Sequence, residues 1–85
     1  MNTLAKKLLY KSWNRGCKET DILLGEFARA KVEHMNEAEL DSFSVIVEAS
    51  DELIYAAIVG RIPIPIEFDK NLFQQIIDFN SERVR

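Results

Sequence analysis

Gly16 is placed to stop a helix soon after the apolar spacing begins one. Leu4, Leu8, Leu9 and Trp13 recur at helical intervals, so residues 3–14 read as a first helix. Gly16 can take positive φ at no steric cost and suits the end of that helix. The period resumes over residues 17–32 through Ile22, Leu23, Phe27 and Ala30, with Glu19 and Asp21 in the first turn, where they favour the helix dipole.

Similar punctuation recurs downstream. Asn36 is a good N-cap with Glu39 three residues later, close to a capping box, and Leu40, Phe43, Ile46 and Val47 give a third apolar face. Ser50 can cap a fourth helix in which Leu53, Ile54, Ala57 and Ile58 point inward, and Gly60 stops it. Pro63 and Pro65 forbid a continuing helix and hold "RIPIPIEF" extended. Phe68, Leu72, Phe73, Ile76, Ile77 and Phe79 make a fifth apolar helix, and residues 80–85 read as a mobile tail. The expectation is an all-α fold, a compact five-helix bundle forming one domain over residues 1–85. The competing reading is a mixed α+β fold, because "FSVIVEA" is β-branched and Ile62, Ile64, Ile66 and Phe68 alternate. The two prolines favour a connector over a central strand.

With 85 residues, 47% hydrophobic and 29% charged, the composition is that of a globular chain and too short for two cores. Cys17 is the single cysteine, so no internal disulfide or multi-cysteine metal site can form. No apolar run approaches the roughly 18 residues needed to span a bilayer, and no membrane insertion is expected. The first 18 residues carry five bases (Lys6, Lys7, Lys11, Arg15, Lys18) and no acid. A transit peptide is basic and acid-poor too, but this segment has one arginine and no small-residue cleavage site, so it reads as part of the fold. From Val32 to Gly60 there is no Lys or Arg against seven acids, an asymmetry that can orient the molecule toward a partner. The net charge of −3 disfavours nucleic acid.

Catalytic groups are sparse. There is no Gly-rich phosphate loop, no His-x-x-x-His pair and no Ser/His/Asp set that spacing singles out. His34 and Cys17 read as a surface histidine and a bystander thiol, and the pair Asp51 and Glu52 as dipole-matched acids at a helix start that could also touch a partner. The expectation is a chain that is not an enzyme. The stretch "YKSWNRGCKETD" is more distinctive, because Arg15 closes one helix, Gly16 turns the corner and Glu19 opens the next. Spacing allows two readings. One is an ordinary helical turn with a surface Arg-Glu pair. The other is a corner exposing a guanidinium, a bare backbone and a carboxylate to another protein.

"LLYKSWNRGCKETDILLGEFA" resembles the signature of the small succinate dehydrogenase assembly factors, the SdhE family, whose Arg-Gly-x-x-Glu motif is matched by Arg15, Gly16, Cys17, Lys18 and Glu19. "EASDELIYAAIVGRIPIP" is similar to the family's acidic-Leu-Tyr segment ahead of a Gly and a proline pair, so the resemblance covers most of the chain. It departs at Thr20, where Leu is usual, at Ala57, where members commonly carry tryptophan, and in lacking an Asp-Pro-Asp before that helix.

The resemblance implies a five-helix bundle that binds the flavoprotein subunit of succinate dehydrogenase, in some bacteria also fumarate reductase, and promotes covalent attachment of FAD. It implies that Arg15, Gly16 and Glu19 lie at the interface. Lys11, Lys18, Asp21 and Asp51 are expected to bind the partner as well. No cofactor is expected to stay bound; the FAD acted on is the partner's. The chain is expected to be a monomer in a bacterial cytoplasm, with the mitochondrial matrix as the alternative. Competing functions are a general interaction module such as an antitoxin-like protein, a nucleic-acid binder using the basic first helix, and a flavin carrier, which the missing dinucleotide fingerprint disfavours.

Overall fold

Five α-helices make up the computed structural model, which describes residues 3–83: α1 (Thr3–Trp13), α2 (Lys18–Lys31), α3 (Glu37–Val47), α4 (Asp51–Ile58) and α5 (Lys70–Arg83). A single 3-10 turn, Val32–His34, joins α2 to α3. No strand occurs among the described residues, so the all-α expectation holds. "FSVIVEA" is helical as far as Val47, because Phe43, Ile46 and Val47 share one helical face and are all buried, which the alternation of a strand would have split.

The helix ends are set by local chemistry. Asn36 accepts from the Glu39 backbone at 2.8 Å while the Glu39 carboxylate accepts from the Asn36 backbone at 2.9 Å, a complete capping box. Ser50 caps α4 by accepting from the Leu53 amide at 3.2 Å. At the other end of α4, Gly60 has φ +85°, and the Arg61 amide donates to Ala56 O while the Gly60 amide donates to Ala57 O, the pairing of a Schellman motif. Asp69, whose side chain accepts from the Leu72 amide at 2.9 Å, opens α5.

Phe27 on α2 sits at the centre of the core, its ring 5.9 Å from that of Phe43 on α3 and 5.6 Å from that of Phe79 on α5. Leu8, Leu24, Ile46, Ile54, Phe73 and Ile76 complete a continuous apolar interior drawn from all five helices. Gly25 lets α1 and α2 approach, since a Cβ there would lie 2.5 Å from a ring carbon of Trp13. The inward face of α2 differs from the expected stripe. Phe27 is buried as expected, but Ile22 and Ala30 are exposed, and Thr20, Leu24, Gly25 and Ala28 are buried instead. α2 contacts α1, α4 and α5, so packing on several sides sets its rotation more than the densest apolar stripe does.

Residues 61–69 form the connector that the prolines impose. Ile62 and Ile64 pack against the core and Phe68 is buried, whereas Ile66 is 98% exposed. The tail expected over residues 80–85 is helical as far as Arg83, and Asn80 is buried, its amide donating to Ile76 O and across to Leu23 O on α2. Those bonds tie the end of α5 to the bundle. Residues 84 and 85 lie outside the described residues. No helix is long and apolar enough to cross a membrane, and no metal-binding group of His, Cys, Asp or Glu forms among the described residues.

Candidate functional site

The corner between α1 and α2 turns with its backbone open, as does the Gly60 turn after α4. Gly16 has φ +93°, is exposed, and has no atom within 4 Å of where a Cβ would stand. Any L-residue there takes a left-handed conformation that costs about 1–2 kcal/mol, so glycine is required by geometry even though space is not limiting. Asp21 braces the turn from α2, its carboxylate accepting from the Arg15 amide at 2.8 Å. Cys17 is the N-cap residue of α2 without a side-chain cap bond. Its thiol lies 3.5 Å from a Glu19 carboxylate oxygen and accepts from Thr20 Oγ1 at 3.5 Å, which fits a bystander role.

Arg15 departs from the sequence expectation. Its side chain is turned inward and only 9% exposed. Nε donates to Asp51 Oδ1, and the two terminal nitrogens donate to Val47 O and Ala49 O, each at 2.5 Å. Val47 O is one of the carbonyls that α3 leaves without a helical partner at its C-terminal end, and Ala49 O lies just past that end, in the turn to α4. A guanidinium there satisfies both with one planar fork and sets a positive charge at the end of α3. The expected exposed guanidinium, and the surface pair of Arg15 with Glu19, are therefore not formed; the cationic partner of Asp51 is Arg15, and Glu19 has no ion pair among the described residues.

Two clefts flank the corner. The first, of about 290 Å³, is lined by Cys17 and Glu19 from the α2 side and by Asp51, Glu52 and Tyr55 from α4. Arg61 stacks over the Tyr55 ring at 5.6 Å. The second, about 250 Å³, lies between Tyr10, Lys11, Asn14 and Arg15 on one side and Val47, Glu48 and Ala49 on the other. Lys11 meets Glu48 at 2.5 Å across it. That hydrogen bond, with the charge of Lys11 behind it, holds the Glu48 carboxyl below its ordinary value.

The structure thus gathers Arg15, Gly16, Glu19, Asp21 and Asp51 around one corner, with Lys11 on the neighbouring cleft. Lys18 is exposed on the first turn of α2, and its ammonium makes no polar contact among the described residues. Tyr55 and Tyr10, which the sequence did not single out, line the clefts as well, and Glu52, read from the sequence as a helix-start acid that could touch a partner, lines the first. Glu52 carried a weak signal as an acid at a helix start, but only the tertiary fold brings it opposite Glu19. His34 is exposed at the 3-10 turn, away from these groups in sequence and in none of the clefts described.

A family profile described as "Flavinator of succinate dehydrogenase" matches residues 6–80. The chain is 33% identical over 73 residues to the mitochondrial succinate dehydrogenase assembly factor 2 of Dictyostelium discoideum, a match covering 86% of this chain and 52% of that one. It is 36% identical over 63 residues to the protein of the same name from Mycosarcoma maydis, covering 74% of this chain and 26% of the relative. It is 30% identical over 80 residues to the FAD assembly factor SdhE of Acetobacter pasteurianus, covering 94% and 72%. The chain therefore spans about half the length of the first relative and about a quarter of the second. No solved structure matches it at significance.

Proposed function

We propose a function that proceeds from one premise: the chain belongs to the family of succinate dehydrogenase flavinators. The family is described as a flavinator and the relatives above are named as assembly factors rather than catalysts, and this chain is not an enzyme. In our reading it binds the flavoprotein subunit of succinate dehydrogenase, and the related fumarate reductase flavoprotein, and promotes covalent attachment of their FAD. It works as one domain and as a monomer, in a bacterial cytoplasm or a mitochondrial matrix, and keeps no FAD of its own.

The observation that carries this reading is the corner at Gly16. A bare, exposed backbone with open space around it admits another protein's chain closely, and Glu19 and the cleft beside it supply acceptors. The chemistry of attachment belongs to the flavoprotein. What the bundle contributes is a rigid surface that holds the immature subunit with its histidine and flavin in reacting geometry, an effect of proximity and orientation.

The test is co-expression with a succinate dehydrogenase flavoprotein in cells lacking their own assembly factor, read as covalent flavin fluorescence on a denaturing gel. Gly16→Ala and Gly16→Arg share the backbone strain but differ in bulk. The wild type is expected to restore fluorescence, Gly16→Ala to lose part of it, and Gly16→Arg and Glu19→Ala to lose most. Full flavinylation with Gly16→Arg would remove the corner as docking site. No gain from soluble, folded wild type would reject the function itself.

A further inference from the structure

We propose that Arg15 acts on the flavoprotein without touching it: its guanidinium clamps the turn between α3 and α4, and thereby fixes the start of α4 opposite Glu19, so that both walls of the first cleft meet the partner as one surface. This rests on the docking function proposed above and extends it to residues of α4.

The three guanidinium nitrogens are committed to Val47 O, Ala49 O and Asp51 Oδ1, and little of the side chain reaches solvent. Each terminal nitrogen keeps a second N–H, but with 9% of the side chain exposed a partner has little of the guanidinium to reach, and displacing the bonds already made would leave two carbonyls and a carboxylate unpaired. The same bonds do something no local interaction does. They connect the residue just before the Gly16 corner to the first residue of α4, 36 positions later. The Arg15 amide is simultaneously held by Asp21 of α2. One residue therefore locks the α1–α2 corner and the α3–α4 turn together. The cleft they enclose has Cys17 and Glu19 on one wall and Asp51, Glu52 and Tyr55 on the other. Neither Glu19 nor Glu52 has an ion pair among the described residues, and the one hydrogen bond to Glu19 is the long one from the Cys17 thiol, which leaves carboxylate oxygens open on both walls of the cleft. Lysine at position 15 keeps the charge but cannot make the planar fork.

The experiment compares wild type, Arg15→Lys, Glu52→Gln and the double variant. Binding to the purified, FAD-loaded succinate dehydrogenase flavoprotein is measured by calorimetry at a temperature where circular dichroism shows all four fully folded. Amide exchange is measured on the isolated chains. Arg15→Lys is expected to accelerate exchange over residues 48–54 while leaving the centre of α2 protected, and to weaken binding by about tenfold. Glu52→Gln is expected to weaken binding alone, and the double variant to be little weaker than Arg15→Lys, because Glu52 is already misplaced.

Additive losses would mean that Arg15 contacts the flavoprotein directly, and would overturn the proposal. Unchanged exchange at residues 48–54, or full affinity in folded Arg15→Lys, would overturn it as well. So would an unaffected Glu52→Gln, since α4 would then be no part of the surface. If the wild type fails to bind the flavoprotein, the docking function falls and this inference with it; any of the other negative results leaves that function standing.

Discussion

Lys11 and Glu48 hold from outside the turn that Arg15 holds from within. The hydrogen bond from Lys11, then its charge, lowers the Glu48 carboxyl below its ordinary value of 4.5, with Lys7 and Arg15 adding to the pull. Because the folded value is the lower one, the unfolded chain takes up this proton first as acid is added. The stabilisation from the pair is present above the ordinary carboxylate value and is lost as pH falls through the folded one. In Lys11→Met the Glu48 titration followed by NMR should move back up toward 4.5, and the stability difference from wild type should vanish in acid. A Glu48 midpoint that ignores the substitution would show that the pair does not persist in solution. Legibility at this scale follows distance along the chain. The capping box of Asn36 and Glu39 spans three residues and could be read directly, as could the need for glycine at 16. The partners of Arg15 lie 32 to 36 residues away, two of them being backbone carbonyls. No side-chain pattern announces a bond to a carbonyl, so the sequence suggested an exposed cation where the fold has an inward-turned, half-buried clasp.

Helices α1 and α2 meet where Trp13 covers Gly25, and Arg29 lies 5.0 Å over the other element's indole. Alanine at 25 would gain up to about 1 kcal/mol in helix propensity. Its methyl, however, would meet atoms of the Trp13 indole ring at 2.5–2.9 Å, an overpacking that costs about 1–3 kcal/mol. The net expectation for Gly25→Ala is destabilisation, seen as a lower urea midpoint together with a shifted Trp13 fluorescence. A midpoint at or above wild type would mean that the indole moves aside freely. The sequence was informative about where elements begin and end, because caps, glycines and prolines act locally. It was less so about how each element is rotated. The spacing on α2 is compatible with two overlapping stripes that share Phe27, and only contact with α1, α4 and α5 chooses the one containing Leu24 and Ala28. For α3, whose Leu40, Phe43, Ile46 and Val47 leave a single strong stripe, expectation and structure coincide.

A bundle of this length has a total stability of about 4–13 kcal/mol. Removing the Phe27 side chain, which joins α2, α3 and α5 through Phe43 and Phe79, costs about 3–5 kcal/mol. Phe27→Ala should therefore lower the thermal midpoint by roughly 12–40 °C, measured by circular dichroism. A loss of only a few degrees would place the centre of the core elsewhere. The clasp at Arg15 has a different consequence for the molecule as a whole. Two of its three acceptors are main-chain carbonyls, which every amino-acid sequence supplies; only the carboxylate at position 51 depends on residue type. A hybrid that takes its first two helices from this chain and the remainder from a relative should thus inherit a working clasp wherever the donor segment offers an acid at the start of its fourth helix. Transplanting the half-molecules comes down, at this junction, to matching a single side chain.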